Sequence, residues 1–274
     1  MVSASSRLSK IELALLRRLP FHVRSAYIPA LGQSIAYPQC AASSFQDIFI
    51  RQIYRPAMPL PVGATVVDLG VNLGMFCMYI NGLLRAGRIH CFEANPTLFP
   101  HLKKNVEAVV RRGNTVELSN VAIAGESGFL ELFTNEDDVV SVAPTAFRDV
   151  SKFPDREKYK PVRVASERLP RLVPGRIDFL KCDIEGAEYD VLDDDVLTTD
   201  RLGQAAIEFH DVSDRFDRLS RIVETAYANG FSLAFQGSGM MTPPALLDAV
   251  RHSGEEAVII TMCAKDLRSP VSGS

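Results

Sequence analysis

The hydrophobic pattern of this chain, from residue 61 onward, alternates between short apolar runs and apolar stripes with helical spacing. Short apolar runs bounded by turn residues predict buried strands, and the stripes predict helices packed against a sheet. The strands are predicted at residues 65–69, 88–92, 115–119, 129–133, 177–182, 205–209, 231–236 and 257–264. The helices are predicted around residues 73–83, 96–109, 216–227 and 244–252, with a further helix starting at residue 187. Such alternation is typical of an α/β fold with a parallel sheet.

The 274 residues suffice for one large domain, because 47% of them are hydrophobic and can fill a core. We expect a helical or irregular N-terminal extension at residues 1–60, the main domain at 61–265 and a polar tail at 266–274. Residues 1–55 carry seven basic and two acidic side chains. A transit peptide or a basic surface helix is therefore the alternative to a helical cap over the domain. The polar stretch at residues 134–160 predicts either a lid or a disordered loop.

The composition argues against several classes of partner. The formal net charge of −3 gives no overall basic field, so we expect neither a nucleic acid nor an anionic membrane as partner. The five cysteines stand far apart and lie mostly inside apolar runs, which indicates buried thiols in a reducing, cytoplasmic compartment. No uninterrupted apolar run is long enough for a membrane span. The sequence does not indicate an oligomeric state.

A glycine-containing turn follows the first predicted strand of the main domain. The segment runs Asp68-Leu69-Gly70-Val71-Asn72-Leu73-Gly74 and leads into a helix, so the backbone can approach a ligand at the carboxyl edge of the sheet. A dinucleotide site requires G-x-G-x-x-G, whereas Asn72 occupies the position of the second glycine. A carboxylate at Asp68 would repel phosphates but would attract an ammonium or sulfonium group. This turn therefore favours S-adenosylmethionine over a dinucleotide.

A second acidic residue, Glu93, ends the next strand and is placed to accept hydrogen bonds from the hydroxyl groups of a ribose. A dehydrogenase would place an acid similarly, so Glu93 supports an adenosine ligand without choosing between the two cofactors. An NAD(P)-dependent oxidoreductase thus stays open as an alternative function. A non-catalytic binding module is a further alternative, although the intact set of cofactor residues argues against it.

Five segments, taken together, resemble the FkbM family of methyltransferases. They are VVDLGVNLG at residues 66–74, CFEANP at 91–96, NVAIAGESG at 120–128, IDFLKCDIEGAEYDVL at 177–192 and AIEFH at 206–210. The resemblance covers about residues 64–235. It implies a Rossmann-like, doubly wound, mostly parallel sheet of seven strands, as in class I methyltransferases. It also implies S-adenosylmethionine as donor and the methylation of a hydroxyl group on a sugar or a small specialised metabolite.

The resemblance also implies which residues bind the cofactor. Two positions depart from the family, which commonly has a proline where Ala94 stands and an acid near the adenine where Gly125 stands. By position, the methionine end would contact the glycine turn, the ribose would contact Glu93, and the adenine would contact the turn after the third strand. The implied cofactor-binding residues are Asp68, Gly70, Asn72, Gly74, Glu93, Asn95, Asn120, Val121, Ala122 and Asp183.

The chemistry of methyl transfer requires alignment of donor and acceptor and the removal of one proton. Asp183 and Glu185 follow the strand at 177–182, and His210 follows the strand at 205–209, so all three are predicted to reach the same cleft. His210 is the expected general base because of its ordinary pKa. The same three side chains could instead hold a divalent metal ion, which we consider the less favoured reading. An acceptor nitrogen or carboxylate is an alternative to the hydroxyl.

Overall fold

The computed structural model describes residues 23–28, 33–38, 41–107, 113–135, 156–193 and 195–268. Within these residues, the main sheet has eight strands. Its strands are β3 (Thr65–Leu69), β4 (Arg88–Phe92), β5 (Thr115–Ser119), β9 (Ile177–Cys182), β10 (Leu202–Phe209), β11 (Phe231–Phe235), β12 (Met240–Met241) and β13 (Val258–Ala264). They lie in the order β12-β11-β13-β10-β9-β3-β4-β5. The strands from β10 to β5 in this order are parallel, and β13 is antiparallel to both of its neighbours. The predicted mostly parallel, seven-stranded sheet is thus confirmed, with a two-residue eighth strand added at one edge.

The central strands are buried on both faces, which is why they are almost continuously apolar. In β3, the side chains from Val66 to Leu69 are all fully buried. Alternate residues point to opposite faces, so Val67 and Leu69 belong to one apolar cluster and Val66 to another. The predicted bounds of β3, β4, β5 and β9 match the structure residue for residue.

Helices cover both faces of the sheet. They are α1 (Ala42–Phe45), α2 (Met75–Leu83), α3 (Phe99–Glu107), α4 (Leu169–Leu172), α5 (Glu188–Val191), α6 (Val212–Ala228) and α7 (Pro243–Ser253), with a π-helical turn at Gln46–Arg51. Buried residues of α6 and α7 pack on one face of the sheet, and those of α2, α3 and residues 41–54 pack on the other. The helix expected from residue 187 is a single turn, α5. The N-terminal extension therefore supplies part of the core.

Two regions differ from the sequence-based expectations. A hairpin of β1 (Val23–Ile28) and β2 (Gln33–Pro38) lies in the extension that was expected to be helical or irregular. A second sheet has the order β6-β8-β7, from β6 (Ala122–Ile123), β7 (Gly128–Asn135) and β8 (Tyr159–Glu167). β8 was not predicted, because only Val164 and Ser166 among its residues are buried, so the apolar alternation is weak.

Several sequence-based predictions fall partly outside the described residues. The amphipathic segment at 11–19, most of the 134–160 stretch and the last six residues of the predicted tail lie outside them, as does Cys40. The other four cysteines are free thiols, and all four are buried. The domain bounds at residues 60 and 265 stay predictions.

None of the described helices is both long enough and apolar enough to cross a membrane.

We predict that Phe179→Ala in β9 lowers the free energy of unfolding by about 3–5 kcal/mol, because truncation leaves a cavity in the core. Phe179 is fully buried, and its ring stacks on Phe76 at a centroid distance of 6.0 Å. Urea unfolding followed by circular dichroism measures the loss. The matched control is Phe129→Ala, since Phe129 is 66% exposed, and its cost should stay within about 1 kcal/mol. Equal costs for the two variants would contradict this account of the core.

Candidate active site

A cavity of about 290 Å³ opens at the carboxyl edge of the parallel strands, next to the point where the chain switches from β3 towards β9. Ligands of open α/β sheets bind at this position. Of the residues predicted to form the site, those that line the cavity are Gly70, Asn72, Glu93, Val121, Ala122, Asp183, Glu185 and His210. Gly74, Asn95, Asn120 and Asp68 lie behind this lining.

The turn after β3 is held by its own hydrogen bonds. The amides of Gly70 and Val71 donate to the carbonyl of Phe92 at 3.0 and 3.3 Å, and the amide of Asn72 donates to Glu93 Oε2 at 2.7 Å. Gly70 adopts a φ of +71°, and a Cβ atom there would lie 1.8 Å from the backbone oxygen of Asp183. Glycine is therefore required where the turn crosses the end of β9.

Glu93 is a buried carboxylate that joins two loops. Its Oε2 accepts from Asn72, and its Oε1 accepts from the amide of Asn95 at 2.8 Å. Burial raises the pKa of Glu93 above its ordinary value, and the two amide hydrogen bonds oppose that rise. Each carboxylate oxygen has a further lone pair, so Glu93 can also accept hydrogen bonds from a ligand in the cavity.

The positive charge of Lys181 on β9 lies next to carboxylate and carbonyl oxygens beneath the turn after β3. Its Nζ donates to the carbonyl oxygens of Leu69 at 3.0 Å and Gly70 at 2.7 Å, and it lies 3.5 Å from Asp68 Oδ1. Burial by itself lowers the pKa of Lys181, but the charges of Asp183 and Asp68 outweigh burial and raise it. No role was expected for Lys181, yet its amine lies 3.5 Å from carboxylate oxygens of both Asp68 and Asp183.

Asp68 is fully buried, and neither of its carboxylate oxygens accepts a hydrogen bond from any described residue. Burial raises the pKa of Asp68 to about 6, while Lys181 opposes the rise. Asp68 therefore acts on the cavity through Lys181 and through its charge, since its side chain does not reach the lining. A direct contact between Asp68 and a cofactor stays a prediction.

Three other predicted cofactor residues support the loops in the structure. Asn95 Oδ1 accepts from the amide of Thr97 at 2.9 Å, in the turn that precedes α3. Asn120 Nδ2 donates to the carbonyl of Glu93 at 2.7 Å. Gly74 precedes α2 with a φ of +89°. These residues shape the walls of the cavity, and cofactor contacts by them stay predictions.

Glu188 joins the end of β9 to His210. One oxygen of its carboxylate, Oε1, accepts from the amides of Ile184 and Gly186 at 3.1 Å each and lies 3.0 Å from His210 Nδ1. The side chain is fully buried. The one-turn helix α5 points this side chain back into the loop after β9 rather than towards solvent.

Asp183, Glu185 and His210 lie together, as predicted. His210 Nε2 is 3.9 Å from Asp183 Oδ1 and 3.6 Å from Glu185 Oε2. Burial lowers the pKa of His210, but the hydrogen bond to Glu188 and the neighbouring carboxylates outweigh burial and raise it to about 10. As long as no cation lies at Nε2, the raised pKa favours the protonated ring, which cannot accept a proton, and the general-base role of His210 stays a prediction.

Tyr54 and Glu208 complete the wall of the cavity. The Tyr54 hydroxyl lies 3.1 Å from Asp183 Oδ2 and also contacts Glu208 Oε2 within hydrogen-bond distance. Burial and then the charge of Asp183 raise the pKa of both Tyr54 and Glu208. No sequence pattern pointed to Tyr54, which lies just before Pro56, Pro59 and Pro61 in a segment without periodicity.

A second, larger groove of about 910 Å³ adjoins the cavity. It is lined by residues 51–60, by the turn after β11 and by parts of β13. Asp47, Ile53 and Glu208 line both spaces. Residues 236–238, in the turn after β11, are part of this lining.

Comparison with known proteins gives a family match over most of the main domain. Residues 68–233 match the family described as Methyltransferase FkbM domain, which is more than half of the 274-residue chain. Methyltransferase 1 from Beauveria bassiana is 26% identical over 209 residues, which span 70% of this chain and 81% of that protein.

Two further similarities are partial. The AMB antimetabolite synthetase AmbE from Pseudomonas aeruginosa is 24% identical over 238 residues, but the match spans only 11% of that protein and 72% of this chain. Among solved structures, methyltransferase FkbM from Methylobacillus flagellatus KT has a TM-score of 0.44 at 12% identity, over 78% of this chain and 49% of that chain.

We predict that Gly70→Ala destabilises the protein and distorts the cavity, because the new Cβ would collide with the backbone of Asp183. The matched control is Gly63→Ala, since Gly63 also has a positive φ, +81°, but has nothing within 4 Å of the added atom. The control should lose about 1–2 kcal/mol from backbone strain alone. Thermal unfolding should show a clearly larger loss for Gly70→Ala, and equal losses would refute the close approach of the two loops.

Proposed function

Because the chain belongs to the FkbM family of methyltransferases, we propose that it transfers the methyl group of S-adenosylmethionine to a hydroxyl group of a sugar or a small specialised metabolite. The donor would lie in the cavity at the carboxyl edge of the sheet. The acceptor would enter through the adjoining groove.

The observation that carries this proposal is the hydrogen bond from the amide of Asn72 to the carboxylate of Glu93. A dinucleotide site leaves such loop amides free to bind a pyrophosphate. Here the amides of Gly70, Val71 and Asn72 already have acceptors within the protein. A negatively charged pyrophosphate would also face Glu93, Asp183 and Glu185, all of which line the cavity. The arrangement supports a ligand that is positive at one end and carries a ribose, and it argues against an NAD(P)-dependent oxidoreductase.

The residues present fit S-adenosylmethionine. The buried carboxylate oxygens of Asp68 without a hydrogen-bond partner and the carboxylate of Asp183 give the turn after β3 a negative environment that suits an ammonium group. Glu93 would accept the ribose hydroxyls, and Val121 and Ala122 supply an apolar wall for the adenine. When bound, this cofactor supplies an activated methyl group: the acceptor oxygen bonds to the methyl carbon while the carbon–sulfur bond breaks with its electrons passing to sulfur.

The protein must also remove the proton of the acceptor hydroxyl. We assign Asp183, Glu185 and His210 as the catalytic group, because all three face the cavity beside the groove. The carboxylate of Asp183 or Glu185 would accept the proton as the bond between oxygen and the methyl group forms, and the hydrogen bond from His210 Nδ1 to Glu188 holds the ring in place. Tyr54 and Glu208 separate the two spaces and would orient the hydroxyl.

A hydroxyl acceptor is supported by the lining of the groove. Apolar residues such as Met58 and Leu60 alternate there with polar ones such as Gln236 and Ser238. Mixed surfaces of this kind bind sugars and hydroxylated small molecules, with few polar groups fixing orientation. A nitrogen or a carboxylate acceptor is the alternative. Incubation of the protein with radiolabelled donor and a panel of hydroxylated small molecules, glycans, amines and carboxylic acids distinguishes these classes.

We predict that the protein binds S-adenosylhomocysteine in isothermal titration and does not bind NADH. Glu93→Gln should weaken this binding by about tenfold or more, because the amide keeps one acceptor oxygen and cannot serve both loop amides and a ribose. Glu117→Gln is the control, since this exposed carboxylate lies on β5 outside the cavity. Binding of NADH alone would overturn the proposed function.

We predict that His210→Ala slows methyl transfer strongly while the affinity for S-adenosylhomocysteine stays nearly unchanged. The ring faces the reacting end of the cavity, and the loops that hold the cofactor are fastened by other residues. His252→Ala is the control, because His252 is exposed at the end of α7. Single-turnover transfer from radiolabelled donor to an acceptor from the panel measures the effect. An unchanged rate would remove His210 from the catalytic group.

A further inference from the structure

We propose that Asp183, Glu185 and His210 together bind one divalent metal ion at the boundary between the cavity and the groove. The ligands would be one carboxylate oxygen from each acid and the Nε2 atom of the histidine. The role of this ion rests on the proposed function, whereas its binding can be measured without turnover.

The spacing of the three ligand atoms fits one ion. One atom from each residue lies within 4.8 Å of the other two. His210 Nε2 is 3.6 Å from Glu185 Oε2 and 3.9 Å from Asp183 Oδ1. Two ligands of an octahedral ion lie about 3.0 Å apart when adjacent and about 4.2 Å apart when opposite, for bonds of about 2.1 Å. The two distances from His210 fall between these limits, and small rotations of the carboxylates would bring the three ligand atoms around one ion.

The orientation of His210 is the second and independent observation. Its side chain is only 8% exposed, and among the described residues no hydrogen bond is made to Nε2. Glu188 lies 3.0 Å from Nδ1 and is itself fixed by the amides of Ile184 and Gly186. A carboxylate bound to one ring nitrogen, with the other nitrogen directed at two acids, is the arrangement that orients metal-binding histidines.

The charges around the cluster also favour a cation. Asp183, Glu185 and Glu208 line the cavity on this side, and Lys181 is the nearby cation. The amine of Lys181 is already occupied by the carbonyls of Leu69 and Gly70. A divalent ion would add positive charge to this acidic part of the lining.

Two carboxylates and one imidazole suit a metal ion of intermediate hardness, such as manganese(II). Three protein ligands leave positions open for water or for an acceptor hydroxyl. A hydroxyl oxygen bound to such an ion loses its proton more readily, and here the proton would pass to water in the groove. The ion would thus assist the same step that we assign to the catalytic group.

The test is titration of the metal-free full-length protein with manganese(II), followed by electron paramagnetic resonance, which separates bound from free ion. We expect one ion per chain. Asp183→Asn and Glu185→Gln should each weaken binding by at least about tenfold. Asp195→Asn is the matched control, because this carboxylate is 65% exposed, pairs with Arg168 and lies outside the cavity. It should bind manganese(II) as the unchanged protein does.

Circular dichroism on the same samples shows whether each variant is folded, and isothermal titration of the unchanged protein with S-adenosylhomocysteine separates the two proposals. The metal proposal is overturned if the unchanged protein binds S-adenosylhomocysteine but no manganese(II), with or without that ligand. It is equally overturned if both folded variants bind the ion with unchanged affinity. Failure to bind S-adenosylhomocysteine would instead contradict the proposed function.

Discussion

The buried amine of Lys181 is the interaction on which the site depends. It binds the carbonyl oxygens of Leu69 and Gly70 and lies 3.5 Å from carboxylate oxygens of both Asp68 and Asp183. Without it, the fully buried carboxylate of Asp68 would lose its cation and the carbonyl of Gly70 would lose this donor, which costs several kcal/mol. Because Lys181 is on β9 and the carbonyls follow β3, this one side chain fixes the ends of adjacent strands against each other. The close approach of Gly70 to the backbone of Asp183, and hence the floor of the cavity, follows from that.

Carboxylates serve two distinct purposes at this edge of the sheet. Glu93 accepts hydrogen bonds from the amides of two loops, and Glu188 accepts them from the amides of Ile184 and Gly186, so both carboxylates hold loops in place. Asp183 and Glu185 face the cavity and carry the charge that a ligand meets. Because these buried carboxylates accept hydrogen bonds from the loops, the backbone amides concerned are not available to a ligand. Selectivity then comes from charge and shape, which favours a cationic ligand over an anionic one.

The sequence predicted most strands of the main sheet and the edge of that sheet at which the site forms. Burial on both faces and the change from strand to helix periodicity are local patterns, so the sequence alone shows them. The predicted bounds agree with the structure residue for residue in β3, β4, β5 and β9. The sequence could not predict which way a side chain points once a strand has ended. No pattern indicated that the carboxylate of Asp68 is fully buried beside Lys181, and its contact with the cofactor stays a prediction. Contacts between distant segments, such as that of Tyr54 with Glu208, carry no local signal at all.

The family match includes most of the cavity lining, although residues 41–54 also contribute to it, whereas the groove lies mostly outside the match. Residues 68–233 contain all the cofactor and catalytic residues assigned here, whereas the groove is built mainly from residues 51–60 and from positions beyond 233. Tyr54 is the point where the two parts meet, since it comes from the N-terminal segment and touches Asp183 and Glu208. A change in residues 51–60 can therefore alter the shape of the groove without touching the hydrogen bonds that hold the turn after β3 in place. On the proposed assignment, this geometry separates the choice of acceptor from the binding of the donor. The family match covers little of the groove, so it indicates the reaction but not the acceptor.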